Sequence, residues 1–132
     1  MQEFIKETTA YLQNKGFDAP EVGIILGTGL GKLVDEIAIT KEVSYNHIPN
    51  FPTATVEFHT GKLIYGTLQG KKVIVMSGRF HVYEGYSLQD VTFPVRIMKS
   101  LGIKQLLVSN AAGAINLDFK KGDLMLLSLI HI

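Results

Sequence analysis

One short segment of the chain alternates side chains that suit phosphate and sugar with apolar side chains. Arg79, His81 and Tyr83 stand at every second position, separated by Phe80 and Val82, directly after an apolar run. In an extended backbone residues two apart share a face, so we expect the three polar side chains to point together and the two apolar ones to point the other way. Arginine binds phosphate oxygens through two hydrogen bonds at once, histidine adds a donor, and tyrosine offers a flat ring and a hydroxyl. An ordinary exposed strand has the same alternation, so a solvated arginine beside a buried histidine and tyrosine is the alternative.

A glycine-rich turn follows the first apolar run of the chain. Residues Gly27 to Gly31 comprise three glycines, Thr28 and a leucine. The glycines let successive backbone N–H groups turn toward an anion, and the Thr28 hydroxyl adds a neutral donor. The spacing fits neither the dinucleotide-binding pattern G-x-G-x-x-G nor a P-loop. A tight turn that needs glycine for its backbone angles explains the segment equally well.

Small residues also follow a later apolar run, at Ser109 to Gly113. Their size lets a ligand approach main-chain N–H groups, and it equally lets a helix pack tightly on a sheet. His59 lies just before another strand-like run, and an isolated histidine is more often structural than functional. Because ligands of open α/β sheets collect at the carboxyl ends of strands, these segments predict a phosphate site that combines glycine-turn amides with Arg79 and His81.

Hydrophobic periodicity predicts the elements that carry these segments. Apolar residues at helical spacing predict one helix from Phe4 to Leu12 and a second from Leu88 to Leu101. The second begins with a capping sequence at Ser87 and ends at Gly102, and Pro94 predicts a kink in it. Strands are predicted at Val22–Leu26, Ile39–Tyr45, Leu63–Leu68, Lys72–Met76, Gln105–Ser109 and Leu124–Leu127, with a hairpin across Gln69 to Lys71, a short helix within Lys32–Ile37 and an ordered loop over Ile48–Thr55.

The order of these elements predicts an α/β fold, in which a mixed, twisted β-sheet is flanked by helices. Because the chain has no repeat, low-complexity tract or linker, we expect one domain over residues 1–132. Its end, from Leu126 to Ile132, is almost wholly apolar and would normally be covered by further chain. We therefore expect this domain to be incomplete, with the chain truncated.

The composition argues against several classes of protein. The 132 residues carry a net charge of +1, contain no cysteine, and include four histidines without metal-ligand spacing. We therefore expect no metal site, no redox centre and no nucleic-acid binding. The N-terminus is charged, and no apolar run approaches the ~20 residues of a membrane span. We expect a cytoplasmic protein without membrane association.

Five segments together resemble the purine nucleoside phosphorylases of the trimeric type that prefers inosine and guanosine. The resemblance extends from about Val22 to Leu127, and the segments keep the order that they have in that family. They are Gly27–Gly31, Ile48–Pro52, Gly78–Tyr86, Val91–Arg96 and Asn110–Gly113. The resemblance implies that this chain is the N-terminal half of such a protein. The glutamate and the asparagine that hold the purine would belong to the missing half. The last residues, Ser128–Ile132, depart from the family pattern, so the resemblance assigns no role to His131.

The resemblance implies phosphorolysis in purine salvage: inorganic phosphate attacks the anomeric carbon of a purine ribonucleoside, which gives ribose 1-phosphate and the free base. It also implies a homotrimer and no cofactor, because phosphate is a co-substrate. We add the hypothesis that Glu84 orients His81, so these two are the candidate catalytic residues. Matching positions to the family segments implies that Thr28, His59, Arg79, His81 and the backbone N–H of Ala111 bind phosphate. It also implies that Tyr83 binds the ribose.

Two alternatives stay open. The related methylthioadenosine phosphorylases share the glycine turn. Thr28, where purine nucleoside phosphorylases commonly have serine, slightly favours this alternative. The segment from Arg79 to Tyr86 has instead the form of the nucleoside phosphorylases. The alternative of a different class is a non-catalytic fragment, a phosphate-binding or structural domain that cannot turn over substrate.

Overall fold

The computed structural model describes residues 1–52 and 61–127. In these residues, two α-helices, five strands and three 3₁₀ helices follow one another along the chain. The α-helices and strands are α1 (Gln2–Asn14), β1 (Val22–Ile25), β2 (Ala38–Ser44), β3 (Lys62–Leu68), β4 (Lys71–Ser77), α2 (Leu88–Leu101) and β5 (Gln105–Val108). The 3₁₀ helices are Gly31–Glu36, Tyr45–His47 and Val82–Glu84.

The strands form one mixed sheet in the order β2-β3-β4-β1-β5. β3 runs antiparallel to β2 and β4, whereas β1 runs parallel to both β4 and β5. Ile25 of β1 lies opposite Met76 of β4 and Val108 of β5. The carboxyl ends of β4, β1 and β5 therefore lie side by side, and the glycine turn, the Arg79 segment and the small-residue segment all leave the sheet at this edge.

The predicted hairpin and the mixed α/β sheet are confirmed. The turn between β3 and β4 has two residues, Gln69 and Gly70, both with positive φ (49° and 75°). This is the backbone that matches the twist of a tight hairpin, and glycine adopts it without strain. The helix predicted after Ser87 is α2, and it ends at Gly102 in the left-handed conformation (φ 113°).

Helices α1 and α2 pack against each other and cover one face of the sheet. The core beneath them includes Leu12, Phe17, Ile25, Leu63, Tyr65, Ile74, Met76, Phe93, Ile97, Met98 and Leu101. A smaller core on the other face, against the 3₁₀ helix Gly31–Glu36, comprises Ile24, Leu26, Ile37, Ile64, Val73 and Val75. Successive residues of β4 enter opposite cores, so this strand is buried on both faces and its sequence is continuously apolar.

The strand predicted at Leu124–Leu127 is absent, and this prediction was wrong. Residues 111–127 contain no helix or strand, and Leu124 is 97% exposed. A strand needs a neighbour for its backbone hydrogen bonds, and apolar residues alone do not supply one. In the described part of the chain, β5 is the edge of the sheet and pairs only with β1.

The cap of α2 gives a direct test of this architecture. The Asp90 N–H donates to the Ser87 hydroxyl oxygen (3.2 Å), and the Ser87 N–H donates to the Asp90 carboxylate (3.0 Å). Ser87→Ala should lower the free energy of unfolding by about 1 kcal/mol, because the first turn loses an acceptor. Ser100→Ala, on an exposed position of the last turn of α2, is the matched control and should change it by less than about 0.5 kcal/mol. Urea unfolding of both variants checks this, and equal effects would contradict it.

Candidate anion-binding site

Ser109 joins the ends of two parallel strands. Its hydroxyl oxygen accepts from the Gly27 N–H (3.0 Å), and its hydroxyl donates to the carbonyl of Ile25 (3.2 Å). A side chain at Gly27 would meet the backbone of this segment, since a Cβ there would lie 2.9 Å from the Cα of Asn110. Glycine is therefore required at this position for close approach of two backbones. The sequence analysis treated the glycine turn and the small-residue segment separately, and the structure brings them into contact.

Arg79 bridges from the end of β4 to the end of β5. Its Nη1 donates to the Ser109 carbonyl (3.1 Å), and its Nε donates to His81 Nε2 (2.9 Å). The guanidinium has five N–H donors in a fixed plane, and these contacts use two of them. The residue before it, Gly78, has φ +97°, a conformation that favours glycine. The arginine side chain thus reaches from the end of β4 to the end of β5, and β1 lies between these two strands.

His81 lies between Arg79 and Glu84. His81 Nδ1 is 2.8 Å from Glu84 Oε2, and the same carboxylate oxygen accepts from the His81 backbone N–H (2.9 Å). The Tyr83 ring stacks on the imidazole, with centroids 4.6 Å apart and planes 21° apart. The structure therefore brings together four of the predicted site residues, three of them through side-chain hydrogen bonds.

The backbone reaches this arrangement by a route that the alternation did not predict. The chain is extended at His81 (φ −119°, ψ 143°), but Val82–Glu84 is a 3₁₀ helix that ends at Gly85 with φ +95°. Phe80 is 7% exposed and Val82 is 54% exposed, so the expectation that they share a face was wrong. The Glu84 carboxylate caps the turn through the His81 N–H, and this local bond favours the turn over a continued strand.

Tyr45 contacts the segment that carries Arg79 and was missed in the sequence analysis. Its hydroxyl donates to the carbonyl of Gly78 (2.6 Å), and its ring packs against Phe51 (5.3 Å) and Phe80 (5.2 Å). Burial raises the pKa of the Tyr45 hydroxyl, which therefore stays a neutral donor. The sequence signal was weak, because a tyrosine that ends an alternating strand is typical of an ordinary core position.

An open pocket of about 390 Å³ lies beside Arg79 and His81. Most of its wall is apolar and comes from the strand ends and from α2. The lining residues are Ile25, Met76, Arg79, Phe80, His81, Val82, Tyr83, Val91, Thr92, Val95 and Val108. The site therefore combines a cationic, donor-rich wall with an apolar one.

The other predicted site residues lie in the neighbouring loops or outside the described residues. Thr28 is exposed in the turn after β1, and Ala111 is exposed in the segment after β5. His59 lies outside the described residues. Their contacts with a ligand stay predictions.

Neither a metal centre nor a membrane-spanning helix is found where the chain is described. Across 1–52 and 61–127, no three residues among the histidines, aspartates and glutamates gather closely enough to hold a metal ion. The helices of these same ranges lack the length and apolar character that crossing a membrane needs.

Comparison with known proteins identifies one family. Residues 21–130 match the family described as the Phosphorylase superfamily. Purine nucleoside phosphorylase 1 of Geobacillus stearothermophilus is 54% identical over 124 residues, which cover 94% of this chain and 45% of that protein. Purine nucleoside phosphorylase 1 of Bacillus subtilis (strain 168) is 50% identical over 128 residues, which cover 97% of this chain and 47% of that protein.

A solved structure agrees with these relatives. Isoform 2 of purine nucleoside phosphorylase from Schistosoma mansoni, in complex with cytosine and ribose-1-phosphate, superposes with a TM-score of 0.86 at 45% identity. The match covers 92% of this chain and 42% of that one. The chain thus spans about half the length of the relatives that it matches.

The contact between Gly27 and the β5 exit predicts that a methyl group there is destabilising. Gly27→Ala should lower the free energy of unfolding by about 1–3 kcal/mol, because the added Cβ meets backbone atoms that cannot move aside. Gly31→Ala, in the same loop, is the matched control, since a Cβ at Gly31 meets nothing within 4 Å. Thermal and urea unfolding measure both, and a Gly27→Ala variant as stable as Gly31→Ala would refute the close approach.

The Tyr45 hydroxyl predicts a separate effect on anion affinity. Tyr45→Phe should weaken phosphate binding about fivefold and cost about 1 kcal/mol of stability, because the Gly78 carbonyl before Arg79 loses its donor. Tyr65→Phe is the matched control: Tyr65 is equally buried and donates to the carbonyl of Asp18 at the same 2.6 Å. It should lose similar stability with unchanged phosphate affinity. Calorimetric titration with phosphate compares the two, and equal affinities would argue against support of Arg79 by Tyr45.

Proposed function

Because the chain belongs to the phosphorylase superfamily, we propose that the protein it represents cleaves purine ribonucleosides, such as inosine and guanosine, with inorganic phosphate. A phosphate oxygen forms a bond to the anomeric carbon while the glycosidic C–N bond breaks and its electron pair leaves with the base. The products are ribose 1-phosphate and the free purine. The observation that carries the proposal is Arg79, held between His81 and the Ser109 carbonyl at three adjacent strand ends.

The site suits phosphate because Arg79 brings positive charge and hydrogen-bond donors to it, and in this proposal no resident cofactor is needed. In this proposal Arg79 and His81 bind the phosphate oxygens directly, together with the Thr28 hydroxyl, His59 and the Ala111 N–H. Such a cradle positions the attacking dianion next to the sugar. It also places negative charge near the positive charge that develops on the ribose in the transition state.

Two further residues complete this half of the site. Glu84 is a positioning residue, since its carboxylate contacts both the ring and the backbone N–H of His81. Tyr83 binds the ribose: the residue is 83% exposed and its ring is stacked on His81, so the other face of the ring is open beside the phosphate position. We place the complete protein in the cytoplasm as a homotrimer.

The relatives described above favour this activity over that of a methylthioadenosine phosphorylase, since they carry the name purine nucleoside phosphorylase. The non-catalytic alternative is tested on the 132-residue chain itself. Phosphate-dependent release of hypoxanthine from inosine by this chain would eliminate it. Phosphate binding without release would assign the chain the phosphate half of the site alone.

The role of Arg79 is tested in this chain joined to the remaining part of the Geobacillus stearothermophilus relative. Arg79→Ala should raise the KM for phosphate about 100-fold, through loss of charge-assisted hydrogen bonds, and should change the KM for inosine far less. Arg96→Ala removes an exposed arginine of α2 and should leave both constants unchanged. Steady-state phosphorolysis of inosine measures them. An unchanged KM for phosphate in Arg79→Ala would refute the assignment.

A further inference from the structure

The hydrogen bonds around His81 determine which ring nitrogen carries the proton. The Arg79 Nε–H can only donate, and it points at His81 Nε2 (2.9 Å), so Nε2 is the acceptor. A carboxylate can only accept, so the 2.8 Å contact with Glu84 Oε2 requires the proton on Nδ1. The ring is thus neutral, inferred from its partners, with both nitrogens engaged.

In this state Arg79 and His81 present fewer hydrogen-bond donors to a dianion than the two side chains could supply. His81 offers no N–H to a ligand, because its only ring proton is donated to Glu84. The Nε–H of Arg79 is likewise donated to His81, and one Nη1 donor goes to Ser109. The formal charges of Arg79 and Glu84 cancel, so the three-residue group carries no net charge.

We propose that binding of a dianion at this site takes up one proton on His81 Nε2. The proton converts Nε2 from an acceptor into a donor, so the bond from Arg79 Nε breaks. The Nε–H of Arg79, released from His81, and the new Nε2–H of His81 then both point to the anion. The group gains a net charge of +1, and departure of the anion releases the proton and restores the Arg79–His81 bond.

The surroundings of His81 support its charged form. Glu84 keeps its bond to Nδ1, and the stacked Tyr83 ring offers its π-face to the cation. The positive charge of Arg79 disfavours a charged His81 until the anion lies between the two side chains. These three are the titratable or charged side chains for which the described structure gives a contact with the ring. Helix α2 contributes Val91, Thr92 and Val95 to the same pocket, none of which titrates.

The consequence is a pH dependence that the anion itself does not cause. The identity of the anion as phosphate rests on the proposed function, but the proton uptake rests on the His81 bonds alone. Since the binding-competent form carries one more proton than the free form, affinity falls as the pH rises. The expected slope is about tenfold weaker binding per pH unit where the free ring is neutral.

Sulfate is the probe of choice, because it remains a dianion throughout this range, whereas phosphate titrates. Its Kd for the 132-residue chain is measured by calorimetry between about pH 6 and 8, in buffers of different ionisation enthalpy that report protons taken up. Imidazole nitrogen NMR of the labelled chain gives the tautomer directly. We expect Nδ1–H in the free chain and an Nε2 proton on addition of sulfate, with one proton bound per anion.

Two variants locate the proton. His81→Gln supplies a donor and an acceptor that do not titrate, so the affinity of this variant should lose its pH slope. His47→Gln replaces an exposed histidine of the 3₁₀ helix Tyr45–His47 and should keep the slope. The phosphate affinity of both variants is also measured by titration at one pH.

The outcomes separate this inference from the proposed function. The inference is overturned if the sulfate affinity does not depend on pH and no proton is taken up. It is also overturned if the ring proton of the free chain lies on Nε2. Either result leaves phosphate binding intact. Absence of any response to both sulfate and phosphate overturns the phosphate site, and the inference with it. If His81→Gln does not fold, nitrogen NMR of the His81 ring in the unsubstituted chain still tests the inference.

Discussion

The parallel pairing of β1 with β4 on one side and with β5 on the other is the constraint on which the site depends. One register places Ile25 against both Met76 and Val108. Three strands that are far apart in sequence therefore end together, and the loops after them start from one edge. The two inner strands, β1 and β4, are largely buried and have apolar sequences, whereas β5 at the edge of the sheet is exposed.

Local interactions then hold the guanidinium of Arg79 at this shared edge. Ser109 draws the β1 and β5 exits together, and Tyr45 holds the carbonyl that precedes Arg79. Both act on backbone groups, so neither contributes charge, yet each restricts where the guanidinium can lie. The bonds among Arg79, His81 and Glu84 then decide how many donors face the ligand and how much charge they carry. Binding and protonation are coupled through a single imidazole nitrogen.

Much of the fold could be predicted from sequence, because its signals are local. The capping sequence at Ser87, the glycine at the end of α2 and the two-residue hairpin turn each follow from the chemistry of a few adjacent residues. The predictions failed where long-range contacts decide. Leu124–Leu127 has the composition of a strand but no neighbour in the described residues, and Val82 lies on a turn because Glu84 reaches back to His81.

The amino-acid sequence alone indicates the types of residue available for chemistry, most of the elements that carry them and the family resemblance. Three features became visible only in the folded chain: the Gly27 and Ser109 segments touch, Arg79 spans two strand ends, and His81 accepts from one neighbour and donates to another. They depend on tertiary contacts because the direction of a hydrogen bond is set by the groups that face each other in space. Periodicity reports burial along one element, and it carries no information about the partner that a side chain finds across the sheet edge.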